Sequence, residues 1–246
     1  MDFNLLLLLI PITLLAYSIK GLTGFGPALI IVPFFTVIIG VWYALPASAI
    51  FDTIAGLILL FPVYKNISWK FCLPIMLTMG VGSYIGAKMV FIVSPILISN
   101  LIGVFIFIFA IYLWIGYPQK QMLSRTQNPK ILVGGSIAGF LGGISGGMIG
   151  MSGPILVIYL KYFFQKDFFR IQLIVIFLVE NLVRTFIYYS GGLLGFQETK
   201  FLITCLPALG IGLWIGYILH VHISEKYFNR VVSLILIFVS IKIVLF

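Results

Sequence analysis

The chain alternates between long apolar runs and short polar breaks, and these runs set its architecture. They fall at about 3–19, 22–41, 44–64, 71–92 and 96–116, then at about 131–147, 149–163, 170–190, 200–220 and 230–246. Runs of this length match the ~20 residues that a helix needs to cross a bilayer core ~30 Å thick. The pattern predicts an all-α polytopic membrane protein. A polar segment rich in turn formers, 118–130, separates the runs into two membrane repeats, 1–117 and 131–246, of five segments each. The 131–147 run is glycine-laden and short, ~25 Å as a helix against that ~30 Å core. The first two segments of each repeat are therefore expected to be broken or re-entrant, with two full crossings as the open alternative.

The halves correspond residue by residue at several places. Gly26-Pro27 maps onto Gly153-Pro154 at an offset of 127, and Asp52 onto Glu180 at 128. Gly82-x-x-x-Gly86 maps onto Gly212-x-x-x-Gly216 at 130, and Ser94 onto Ser224 at the same spacing. A narrow family of offsets is what a duplication leaves. Basic residues set the orientation. With the linker's Lys120, Arg125 and Lys130 on the cytoplasmic side, Lys65, Lys70, Lys161, Lys166, Arg170, Lys226 and Arg230 fall there too, as the positive-inside rule requires. That assignment makes the two repeats inverted. It also puts both termini on the outer side of the plasma membrane.

Composition agrees with a bilayer protein: 62% hydrophobic residues, 9% charged and a mean hydropathy of +1.21, against ~25% charged in soluble domains. The net charge of +9 is scattered between segments, which argues for topology determinants and against nucleic-acid binding. Asp2 in place of a basic start, and no small-residue cleavage site, make Phe3 to Ile19 a membrane segment rather than a signal peptide. Cys72 and Cys205 sit in apolar segments and read as small core residues, with no disulfide framework or metal spacing. His220 and His222 fall on different helix faces, a poor arrangement for a metal. Neither cofactor nor metal is expected.

Helix breakers recur at matching places in the two halves: Thr23-Gly24-Phe25-Gly26-Pro27 and Gly150-Met151-Ser152-Gly153-Pro154. Such breaks free backbone groups at membrane depth, which survive only inside protein or beside a cavity. Paired breaks are the best sequence pointer to a transporter's binding site. The helix that follows each break offers unpaired N–H groups and a positive dipole end to an anion. Thr23 and Ser152 add hydroxyl donors, and Phe25 and Met151 are placed to shape the cavity. The glycines at 135, 139, 142, 143, 146, 147 and 150 serve close helix packing, a thin wall beside a substrate, or both.

Charges inside spans are costly and mark function by default. Asp52, Glu180 and Lys88 are candidates for coupling or charge compensation, the two carboxylates as proton carriers. Lys88 has the alternative of snorkelling to the headgroups. Asn181 and Arg184 are candidate substrate ligands. Glu180 and Arg184, four residues apart, share a helix face. They either neutralise each other or stand ready to exchange a partner for an anionic substrate.

These residues resemble the sulfite exporter TauE/SafE family of membrane transporters. The resemblance rests on Gly24-Phe25-Gly26-Pro27 running on to Val32-Pro33, and on Gly142 through Tyr159 with its Gly150-Met151-Ser152-Gly153-Pro154 core. It rests also on the Arg170 to Tyr189 span with Asn181 and Arg184. One departure is Ile155, where the family usually carries a second proline. The resemblance implies secondary transport of sulfite or organosulfonates such as sulfoacetate. The breaks, the inverted halves and the buried arginine imply a small-anion carrier working by alternating access. An anion channel and a carrier of an unrelated small carboxylate are the alternatives. No nucleophile or metal cluster supports an enzyme. The partners expected are a small anion, the lipid bilayer and, as an open option, a second copy in a homodimer.

Overall fold

The computed structural model describes residues 3–23, 26–115, 129–164, 166–193, 196–219, 233–234 and 236–243. Regular structure among them is helical throughout: α1 (Phe3–Thr23), α2 (Ala28–Ile39), α3 (Val41–Val63), α4 (Trp69–Met89), α5 (Pro95–Ile115), α6 (Pro129–Ile149), α7 (Gly153–Phe163), α8 (Lys166–Ser190) and α9 (Phe196–Leu219). Residues 233–234 and 236–243 are helical as well. Each helix falls on one apolar run. Most of the 118–130 linker and the His220/His222 pair lie outside the described residues.

Among the described residues, five stretches are long and apolar enough to cross a membrane: Val41–Asn66, Trp69–Met89, Pro95–Ile115, Pro129–Ile149 and Arg170–Ser190. Large apolar side chains such as Phe61, Leu77, Ile96 and Phe186 stand exposed on these helices. Water would not tolerate so many, whereas lipid accepts them. The multi-pass membrane class expected from the runs is therefore met.

One expectation needs correction. The 131–147 run belongs to a helix of 21 residues, Pro129–Ile149, ~31 Å long at the usual rise. Pro129 extends it at the start, where a missing N–H costs nothing, and Met148 and Ile149 extend it at the end. The short member of the pair is α7, with 11 residues. Its first-half counterpart α2 has 12. The shortfall therefore lies after the break.

The chain forms two compact units, each assembled from both sequence halves. The first comprises residues 1–48, 93–118 and 192–246; the second comprises 49–92 and 119–191. In the first unit α1 lies along α9, and α2 packs on α1 and α5. In the second unit α4 lies along α6, while α8 packs on α4, α6 and α7.

Both long seams are built by glycine. In the second unit a Cβ on Gly82 or Gly86 would run into the carbonyl oxygen of Phe140 or Ile144, and one on Gly143 or Gly147 into that of Met79 or Ser83. In the first unit Gly212 and Gly216 meet the carbonyls of Leu14 and Ser18 in the same way, and Gly21 meets that of Leu213. The mapped Gly-x-x-x-Gly motifs thus do the same job in the same register. Lipid supplies no hydrophobic drive between helices, so close backbone approach must hold them.

A side chain at these seams has nowhere to go. Gly86→Val and Gly216→Val are each expected to destabilise the fold by about 1–3 kcal/mol or more. Gly210→Ala, whose new methyl would meet nothing within 4 Å, is expected to be near neutral. Melting temperatures in detergent check the contrast, and equal behaviour of all three would refute the seams.

Candidate functional site

The second unit holds a charged cluster around Arg184 on α8. Glu180, Arg184 and Tyr188 recur every four residues along that helix, so they form one stripe, and all three are buried. The stripe is turned towards the place where α6 stops and α7 begins. Gly150 ends α6 with φ 78°, the left-handed conformation that glycine adopts at a helix C-terminus. Its N–H bonds back to the Gly146 carbonyl at 2.9 Å. Three residues later α7 starts at Gly153, with Pro154 in its first turn.

Arg184 gathers partners from three helices. Its Nη1 donates to the Gly146 carbonyl at 3.1 Å, and Nη2 donates to Asn181 Oδ1 at 2.7 Å. Asn181 Nδ2 in turn donates to the Phe177 carbonyl at 2.7 Å, which fixes the amide with its oxygen towards the guanidinium. Two carboxylates approach at ion-pair distance: Asp52 Oδ2 of α3 at 3.8 Å from Nη2, and Glu180 Oε1 at 3.8 Å from Nε. Arg184 is 1% exposed, so the charge is compensated within the protein.

The break itself supplies matching partial charges. The last turn of α6 carries the negative end of its dipole, and the start of α7 carries a positive one. Arg184 bonds the former through the Gly146 carbonyl. Glu180 reaches the latter, because Ser152, the residue just before α7, donates its hydroxyl to Glu180 Oε2 at 3.3 Å. Gly146 makes the approach possible: a Cβ there would collide with Glu180 Oε1 and with Ser152 Cβ. Around this centre Tyr188 donates to the Gly147 carbonyl at 2.6 Å, and Ser145 to the Met151 carbonyl at 3.0 Å. Ser83 of α4 donates to the Glu180 backbone carbonyl at 3.3 Å.

The fold thus gathers Asp52, Gly150, Met151, Ser152, Gly153, Pro154, Glu180, Asn181 and Arg184. Lys88 stands apart, exposed at the last turn of α4 with Nζ 6.0 Å from the Tyr84 ring centre. In the first unit Gly26 has φ 91° and Pro27 precedes α2, so the helix breaks there too. Gly24, Phe25 and the Thr23 side chain lie outside the described residues. Sequence reading missed the roles of Gly146, Ser83, Tyr188 and Lys20. Tyr188 was findable, one turn beyond Arg184. Lys20 is buried in the last turn of α1, with Nζ 5.7 Å from the Tyr17 ring centre. It was findable as a cation at the end of an apolar run.

A model of the family described as Sulfite exporter TauE/SafE matches residues 9–243. The chain belongs to this family. TauE/SafE proteins are membrane transporters rather than enzymes, and the family implies sulfur anions such as sulfite as cargo. No match is found among curated proteins or solved structures. Chemically, a guanidinium's planar fork matches the oxygens of an oxyanion.

Removing that cation strips both Asp52 and Glu180 of the guanidinium they face. Arg184→Ala is expected to cost about 3–5 kcal/mol of stability, with Arg184→Lys recovering part of it. Thermal unfolding in detergent measures both. An unchanged melting temperature for Arg184→Ala would show that the cluster does not organise this unit.

Proposed function

We propose that the protein is a secondary transporter of sulfite or organosulfonates such as sulfoacetate, working by alternating access. The observation that carries this reading is Arg184, a buried guanidinium bound to the broken end of α6 beside the start of α7. A substrate oxyanion is bound there by Arg184, Asn181 and Ser152, with Gly150, Met151, Gly153 and Pro154 shaping the backbone around it. Low-dielectric surroundings make such charge-assisted bonds strong.

The chain is read as two inverted repeats, 1–117 and 131–246, around a cytoplasmic linker at 118–130, in the plasma membrane with both termini outside. Support comes from the narrow family of offsets and from the two glycine seams with one register. On the strength of that repeat, Thr23, Gly24, Phe25, Gly26 and Pro27 are assigned the same substrate-binding role in the first unit. Asp52 and Glu180 serve as coupling groups, and Lys88 as a peripheral charge. Association into a homodimer is compatible with the exposed apolar faces. A small carboxylate is the second reading for the cargo, because the site already embraces the carboxylate of Glu180.

Proteoliposomes loaded with the purified protein test the proposal. Saturable uptake of labelled sulfite or sulfoacetate is expected, exceeding that of acetate. Arg184→Lys and Ser152→Ala are each expected to lower it about tenfold or more. Full uptake by both variants would rule the site out, and step-like single-channel currents would point to a channel.

A further inference from the structure

In the second unit the anion position is held by the protein's own carboxylate. Glu180 is 1% exposed, and its two oxygens face different ligands of the site. Oε2 accepts the Ser152 hydroxyl at 3.3 Å, and Oε1 lies 3.8 Å from Arg184 Nε. Ser152 stands at the N-cap of α7, where a hydroxyl normally bonds the helix's own amides. Here it makes no such bond and is committed to Glu180 instead. Gly146 leaves a space that a methyl group would fill with a clash against Glu180 Oε1.

A carboxylate and a sulfur oxyanion present similar geometry to a guanidinium and a hydroxyl, namely two oxygens on one central atom. We propose that Glu180 is an internal competitor for the transported anion: its side chain occupies Ser152 and Arg184 until the substrate takes them over. This rests on the anion-site reading above. Asp52 approaches through a different nitrogen, Nη2, and Asn181 and the Gly146 carbonyl hold the guanidinium as well. Arg184 therefore stays in place while Glu180 is displaced. Within the coupling role proposed above the two carboxylates thus act differently: Glu180 competes with the substrate, and Asp52 stays with the cation.

Direct binding to the purified full chain decides the matter, with radiolabelled sulfite and sulfoacetate as probes. Glu180→Gln keeps the shape and an acceptor for Ser152 but removes the competing charge. Its affinity for either anion is expected to rise about tenfold, whereas Arg184→Lys is expected to bind more weakly than the parent. A tightening is a gain that damaged packing does not produce. Should the glutamine variant fail to purify, Glu180→Ala carries the same expectation. Unchanged or weaker binding by the Glu180 variant, with Arg184→Lys still impaired, overturns the competitor and leaves the anion site standing. Absence of binding by every protein overturns both.

Discussion

A guanidinium at membrane depth must find all its compensation inside the protein, and the second unit is organised around that need. Placing an arginine at a helix centre in lipid costs at least ~2.5–3.5 kcal/mol, and an uncompensated buried charge costs more. Arg184 meets the demand with a carbonyl from α6, an amide from its own helix, and carboxylates from α3 and α8. Because these partners belong to separate elements, satisfying the cation also fixes where α3, α6 and α8 stand. Compensating the cation and holding the unit together therefore use one set of atoms.

The break between α6 and α7 turns a liability into a ligand. Interrupting a helix exposes carbonyls at one end and amides at the other, and hydrocarbon can satisfy neither. Here the opposite ends meet opposite charges, the Gly146 carbonyl receiving Arg184 and Ser152 linking Glu180 to the start of α7. The i,i+4 spacing of Glu180 and Arg184 lets one helix face serve both ends. Of the two readings the sequence left open, the 3.8 Å approach of Glu180 to Arg184 is the neutralising ion pair.

Glycine does two further jobs on α6, separated by helix face. Gly135, Gly139, Gly143 and Gly147 lie every four residues and press against Ile75, Thr78, Met79 and Ser83 of α4. Gly142 and Gly146 look instead towards Ser152 and Glu180. Close packing, one reading of this glycine run, holds on the α4 face, and the other face makes room for Ser152 and Glu180. The α1–α9 seam repeats the packing job with Gly21, Gly212 and Gly216.

The sequence by itself determined the membrane class, nearly every helix, the break at Gly150 to Pro154 and the presence of Asp52, Glu180 and Arg184 as charges inside spans. These follow from local rules: apolar length sets a span, Gly-Pro stops a helix, and a charge in hydrocarbon demands a purpose. It misjudged the length of α6, because glycines look like breakers although close contact with α4 rewards them in a helix. Only the tertiary structure decided that α4 pairs with α6 and α1 with α9, so that each compact unit draws on both halves. It alone placed Asp52 beside Arg184 and singled out Gly146, Ser83 and Tyr188. Those contacts join residues some forty to more than a hundred positions apart, and no periodicity along a chain encodes which distant backbones will touch.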